Sequence, residues 1–149
     1  MANAVKWTTY GTYTAAFGAS DLKNIATGAR VLGSEIDNAT GKNRWMDLVA
    51  DADYATNPSA GGYMAVYLIP CIDGTNYADG SASVVPQASL LIATFALRAT
   101  TDGQRLAATR ILIPPCKFKL LWENQGGQTT TNTDALTMIS YRMYNEELQ

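Results

Sequence analysis

Few residues in this chain are equipped for chemistry, and their contexts argue against catalysis. The sequence has no histidine, which removes the commonest general base, the commonest metal ligand and every triad built on imidazole. Two carboxylates could still hydrolyse a glycosidic bond. Most acids, however, stand in turn contexts: Asp37-Asn38, Asp73-Gly74, Asp79-Gly80 and Asp102-Gly103. A short carboxylate there bonds its own backbone two residues on, and glycine supplies the turn conformation. Glu35, Asp47 and Glu123 fall in strand patterns whose alternation places them on the solvent side. No two acids stand out as facing partners, so no enzyme and no catalytic residue is expected.

Other chemistry-bearing groups read in the same way. Asp73, Asn76 and Asp79, with Gly74 and Gly80, make an oxygen-rich loop that could hold Ca²⁺. Their spacing fits no calcium loop, and the expectation is no metal and no cofactor. Gly61-Gly62 and Gly126-Gly127 do not open a helix, so neither is a phosphate cradle. Cys71 and Cys116 each follow a proline. They read as buried free thiols acting as small hydrophobes, with a disulfide as the alternative; two thiols alone do not complete a zinc shell.

The elements that must carry these residues are strands. Residues 62–69 are almost unbroken β-branched, aromatic and aliphatic side chains, 90–99 and 106–113 repeat the pattern, and Pro70 and Pro114-Pro115 read as stops. From Cys116 to Glu123 the chain alternates: Cys116, Phe118, Leu120 and Trp122 point one way, Lys117, Lys119 and Glu123 the other. Residues 29–36, 45–50 and 135–144 bring the total to roughly seven or eight strands. Nearly every connection is too short for a crossover helix, so the sheets should be antiparallel. The expected fold is all-β, an antiparallel β-sandwich with a jelly roll first and an immunoglobulin-like sandwich second. Phe118, Leu120 and Trp122 should meet Val66, Leu68, Leu91, Phe95, Leu106 and Ile111 inside. Thr100-Thr101-Asp102-Gly103 should close a hairpin. Residues 73–87 form the longest irregular stretch, the kind of loop that contacts partners.

Bulk properties bound the partners. A chain of 149 residues is one domain by length and buries roughly 70% of its unfolded surface. Charged residues are 16% of it, low against roughly 25% for globular proteins. Thr, Ser, Asn, Gly and Tyr fill the difference; they desolvate easily and suit contact with protein or sugar, though all-β surfaces are often Thr-rich anyway. The formal net charge of −2 leaves no basic footprint for direct contact with nucleic acid. No apolar run is long enough to cross a membrane as a helix. The first seven residues lack a signal-peptide core, so synthesis in a cytoplasm is expected.

Residues 1–27 differ from the rest and are read as an N-terminal arm, with residues 28–149 as the sandwich domain. Trp7, Tyr10, Tyr13 and Phe17 recur every three or four positions, but Thr8-Thr9, Gly11 and Gly18 undercut a helix. This predicts an extended or irregular arm whose aromatics either anchor a neighbour or fold back to complete the core. Aromatic anchors dominate interface energetics, so Trp7, Tyr10, Tyr13, Phe17, Tyr77 and Tyr144 are the candidate protein-interface residues.

Three segments carry a likeness to a known group: 66–77 (VYLIPCIDGTNY), 95–98 (FALR) and 113–124 (IPPCKFKLLWEN), with 28–38 (GARVLGSEIDN) upstream. In these the chain resembles small virion structural proteins of tailed bacteriophages over most of residues 28–147. The resemblance implies a place in the particle more than a mechanism. Sandwich proteins of this size commonly serve there as capsid decoration (cement) proteins, often as trimers. The implied partners are the major capsid protein and further copies of the chain, and the implied location is the head surface of the virion. The alternative is a tail, collar or fibre component that binds glycan through the 73–87 loop and Tyr77. The cysteines after proline are departures from the likeness.

Overall fold

A computed structural model describes residues 5–8 and 11–148. Along the described chain run β1 (Val5–Trp7), β2 (Thr14–Ala15), β3 (Arg30–Ile36), β4 (Trp45–Ala52), β5 (Tyr63–Cys71), β6 (Leu91–Ala96), β7 (Gln104–Leu112), β8 (Lys117–Gln125), β9 (Met138–Tyr144) and β10 (Glu146–Leu148). A single 3₁₀ turn, Ala88–Leu90, leads into β6. The protein is all-β. Two four-stranded antiparallel sheets form its body, one in the order β3-β8-β5-β6 and the other β2-β9-β4-β7; β1 and β10 make a two-stranded ribbon.

The pairings nest inside one another. β5 lies against β6, β4 against β7, β3 against β8, β2 against β9 and β1 against β10. The first half of the chain therefore runs out as strands, and the second half returns along it.

Period-2 alternation decides which side chains meet between the sheets. Phe118, Leu120 and Trp122 of β8 and Met64, Val66 and Leu68 of β5 face Met46, Leu48 and Ala50 of β4 and Ile139 of β9. Leu106 and Ile111 of β7 pack against the same cluster. Each large side chain so buried contributes on the order of 2 kcal/mol.

The N-terminal residues complete this core. Thr14–Ala15 pair with Ser140 and Tyr141 of β9, and Ala16, Phe17 and Leu22 are buried in the central cluster. Gly33 is where they close on the first sheet: a Cβ there would stand 2.7 Å from the Ala16 carbonyl oxygen and 3.2 Å from Phe17 Cε1. Residues 16–29 are irregular, as the sequence predicts, but tied. The buried Asn124 amide donates to the Ile25 and Gln128 carbonyls at 2.8 Å and accepts from Tyr54 Oη and the Gly126 N–H at 2.9 Å.

Several sequence expectations are corrected. Pro70 does not end β5 but pairs with Phe118; β6 has stopped by then, so no ladder bond needs the missing N–H. Leu91 is exposed rather than in the core, because a register shift beside Val66 turns it to the outer face opposite Tyr67. The Thr100–Gly103 turn closes no hairpin, since β6 and β7 lie in different sheets. The buried Gln104 side chain bridges that crossing, accepting from the Arg98 N–H at 2.7 Å and donating to the Arg98 carbonyl at 3.0 Å. Asp47 and Glu123 face outward as expected but are buried, not solvated. Cys116 sits in a bend before β8, half-buried, rather than in the strand itself.

Candidate interaction surface

Three features of the outer surface are built by specific side chains. The first is the 72–87 loop, which lies across the outer face of the first sheet. The Asp73 carboxylate starts it by accepting from the Asn76 and Thr75 N–H groups at 2.7 and 2.8 Å and from Asn76 Nδ2 at 2.9 Å. These bonds, the Asn76 N–H foremost, hold the Asp73 carboxyl at about 2. The Ala78 N–H then bonds the Pro70 carbonyl at 2.9 Å. Tyr77 reaches past β8 to β3, where its hydroxyl donates to Glu35. Lys119 Nζ sits 4.4 Å over the Tyr77 ring, and Lys117 Nζ lies 2.8 Å from Glu35 Oε1. The Lys117 bond, seconded by Tyr77, keeps the Glu35 carboxyl below its ordinary value, and the Glu35 bond pushes the Tyr77 hydroxyl up to about 12. Further along, Gly80 closes on Ile69 beside the buried Pro86. The loop is a strap, and it keeps Ile69 dry on a face that would otherwise be wet.

The second feature is the outer face of the second sheet, centred on Asp47. Arg142 Nε and Nη2 reach Asp47 Oδ2 at 3.0 and 2.8 Å, while the Arg110 N–H and Tyr144 Oη donate to Oδ1 at 3.0 Å. Burial pushes the Asp47 carboxyl up, but the Arg110 N–H, Arg142 and Tyr144 together outweigh it, so it stays below its ordinary value. Beside it, the Arg44 and Arg110 guanidiniums lie over the Trp45 ring at 5.2 and 5.4 Å, and Arg142 lies 4.9 Å from the centre of the Tyr13 ring.

The third is one end of the two-sheet body, where the 37–44, 72–74 and 113–116 connections meet. Buried Asn38 locks two of them: Nδ2 donates to the Asn43 and Pro114 carbonyls at 2.9 and 2.8 Å, and Oδ1 accepts from the Asn43 N–H at 2.7 Å. An open groove of about 600 Å³ runs over this platform, with Leu112, Pro114 and Pro115 beside the cationic Lys42 and Arg44. Leu112 is 63% exposed, and Ile72, on the neighbouring connection, is 82% exposed. Val85, in the strap, is 68% exposed. Among the described residues, no group of three or more His, Cys, Asp or Glu is placed to hold a metal ion.

The sequence-predicted interface residues are scattered over this body. Tyr13 is exposed beside Arg142. Phe17 and Tyr144 are inside, Phe17 in the core and Tyr144 on Asp47, so neither offers its ring to a neighbour. Tyr77 is half-buried and held in the strap. Trp7 stands in β1 opposite Glu146, and Tyr10 lies outside the described residues. What sequence reasoning missed is the Asp47–Arg142–Trp45–Arg110 group, whose members come together only through β4 pairing with β7 and β9. Exposed Leu112 and Ile72 were also missed; a sign was available in their positions next to Pro114 and Asp73 turns, where strands run out.

Fold and surface together define an all-β protein of two four-stranded antiparallel sheets with a buried apolar core and exposed apolar side chains at one end. The chain matches no family model, and no curated protein sequence matches it.

Proposed function

We propose that this chain is a structural protein of a tailed-bacteriophage particle, a decoration protein that stabilises the head shell by associating with copies of itself and with the major capsid protein. The observation that carries the reading is the set of large apolar side chains left outside the core: Ile72 and Val85 on the connections and Leu112 at the end of β7. Exposed apolar groups beside a rigid platform mark contact with other protein. The cationic wall of the groove, Lys42 and Arg44, suits a partner surface that offers carboxylates next to apolar side chains. We read the fold as a jelly roll. Its support is the strand order β2-β9-β4-β7 over β3-β8-β5-β6, with the pairs nested so that the doubled chain rolls into two sheets. Jelly rolls build both viral shells and lectins. For a sugar, the strap is poorly disposed: the Tyr77 hydroxyl is engaged by Glu35 and one face of its ring by Lys119.

The test is copy number in purified particles by quantitative mass spectrometry, with the disruption temperature of particles lacking the protein. Hundreds of copies and a lowered disruption temperature are expected. A handful of copies per particle would move the protein to the tail, and absence from particles would end the proposal.

A further inference from the structure

Cys71 and Cys116 are the last residue of β5 and the last residue before β8, and both are free thiols. Cys71 pairs across the ladder with Lys117, so Cys116 is its diagonal neighbour. Opposed Cα atoms in an antiparallel pair lie about 5 Å apart and successive Cα atoms 3.8 Å apart, which puts the two cysteine Cα atoms at roughly 6 Å. Disulfides span Cα separations of about 4.4–6.8 Å. Cys71 and its backbone N–H stand close enough to the Cys116 thiol to influence its titration, the N–H favouring the thiolate. Both residues line one cleft of about 330 Å³, with Ile72, Asp73 and Pro115. Pro70 and Pro115 precede them and fix the backbone on each approach.

From this placement we infer that Cys71 and Cys116 are a dithiol–disulfide pair, closed by exchange with a small-molecule disulfide of the glutathione class, and that closure locks the root of the strap to the β7–β8 connection. The order of events follows from access. Cys116 is half-buried and opens to the cleft, whereas Cys71 is buried. The Cys116 thiol loses its proton and the thiolate attacks one sulfur of the small disulfide, breaking its S–S bond and releasing one small thiol. The Cys71 thiolate then attacks the Cys116 sulfur, forms the protein disulfide and expels the second small thiol. Two protein thiols are oxidised and one small disulfide is reduced to two thiols. Burial raises the Cys116 thiol above its ordinary value, so exchange runs faster in mild alkali than at neutrality. The closed bond joins residues distant in sequence and removes freedom from the unfolded chain.

The full chain, freed of reductant, is incubated with oxidised glutathione and read by intact mass, peptide mapping and thermal melting. The expected product is a monomer about 2 Da lighter with a Cys71–Cys116 cross-link, reversed by dithiothreitol. Its Tm should rise by on the order of 10 °C. Cys71→Ser should stop at a glutathione adduct on Cys116, and folded Cys116→Ser should leave Cys71 unmodified. Two free thiols after exchange, an adduct on wild-type Cys116 that never resolves, cysteine-linked dimers, or a cross-link that forms only in urea would each overturn the inference.

Discussion

Asp47 receives its partners from two other strands, Arg110 of β7 and Arg142 and Tyr144 of β9. Removing one member of a buried, hydrogen-bonded charge set is costly because the desolvation of the others is then less well offset. Asp47→Ala should therefore cost about 3 kcal/mol of stability in urea denaturation at pH 7, since a buried carboxylate that accepts from the Arg110 N–H, the Arg142 guanidinium and the Tyr144 hydroxyl is removed. Asp47→Asn keeps an acceptor without the charge and should cost about 1–2 kcal/mol. The sign with pH is fixed by the lowered carboxyl: its contribution is present above the ordinary value of 3.8 and fades as pH falls through the folded one. The Asp47→Ala deficit should shrink at acid pH, and a deficit unchanged there would contradict the assignment. Alternation along β4 reveals that Asp47 leaves the core face. Nothing local reveals that it is buried, because that depends on the register of β4 against β7 and β9.

At the scale of elements, the strap shows how a loop turns a wet sheet face into a second, smaller interior. Gly80 permits it: its φ is +156°, and a Cβ there would stand 2.7 Å from Ile69 Cδ1 and 3.2 Å from Pro86 Cβ. Gly80→Ala should lift the strap from Ile69, with a loss of about 1–3 kcal/mol and faster cleavage between residues 72 and 87 in limited proteolysis. Tyr77→Phe removes only the hydroxyl bond to Glu35 at an exposed site, so it should speed cleavage in the same segment with little change in Tm. Cleavage confined to other loops in both variants would show that neither residue holds the strap. The strands themselves were legible because apolar runs and period-2 alternation are local properties: β3, β4, β5, β7 and β8 all fall where the pattern puts them. Burial of Glu123 was not legible. It comes from Arg30 on β3, Tyr67 on β5 and Gln125 closing over the carboxylate, and no alternation in β8 encodes those neighbours.

For the whole molecule, nesting ties every level of pairing to the next, down to the ribbon of β1 and β10 that joins the two ends of the described chain. Short turns announced antiparallel sheets in the sequence, but which turns cross between sheets was not written in them; Thr100–Gly103 looks like a hairpin and is a crossing, secured by Gln104 from the far side. A body folded as one nested unit should respond to pH as one. With no histidine in the sequence, no imidazole titrates between about pH 5 and 8, and the urea midpoint should be flat there. On the acid side, Asp47, Glu35, Asp37 and Asp73 all have lowered carboxyls, each held mainly by the bonds described or, for Asp37, by the Thr40 and Ala39 N–H groups. Their stabilisation is complete above the ordinary carboxylate range and is lost on descent through the folded values, reaching about 2 for Asp73. On the alkaline side, burial raises the Tyr54, Tyr67 and Tyr141 hydroxyls, and Glu35 raises Tyr77 to about 12. A raised phenol stabilises the fold fully below its ordinary value of 10.0 and progressively less above it. Urea midpoints measured from pH 2 to 11 should thus trace a plateau with one shoulder below about pH 5 and another above about pH 10. A slope between pH 6 and 8 would contradict this distribution of titrating groups, since no side chain described here changes charge in that window while gaining or losing a partner.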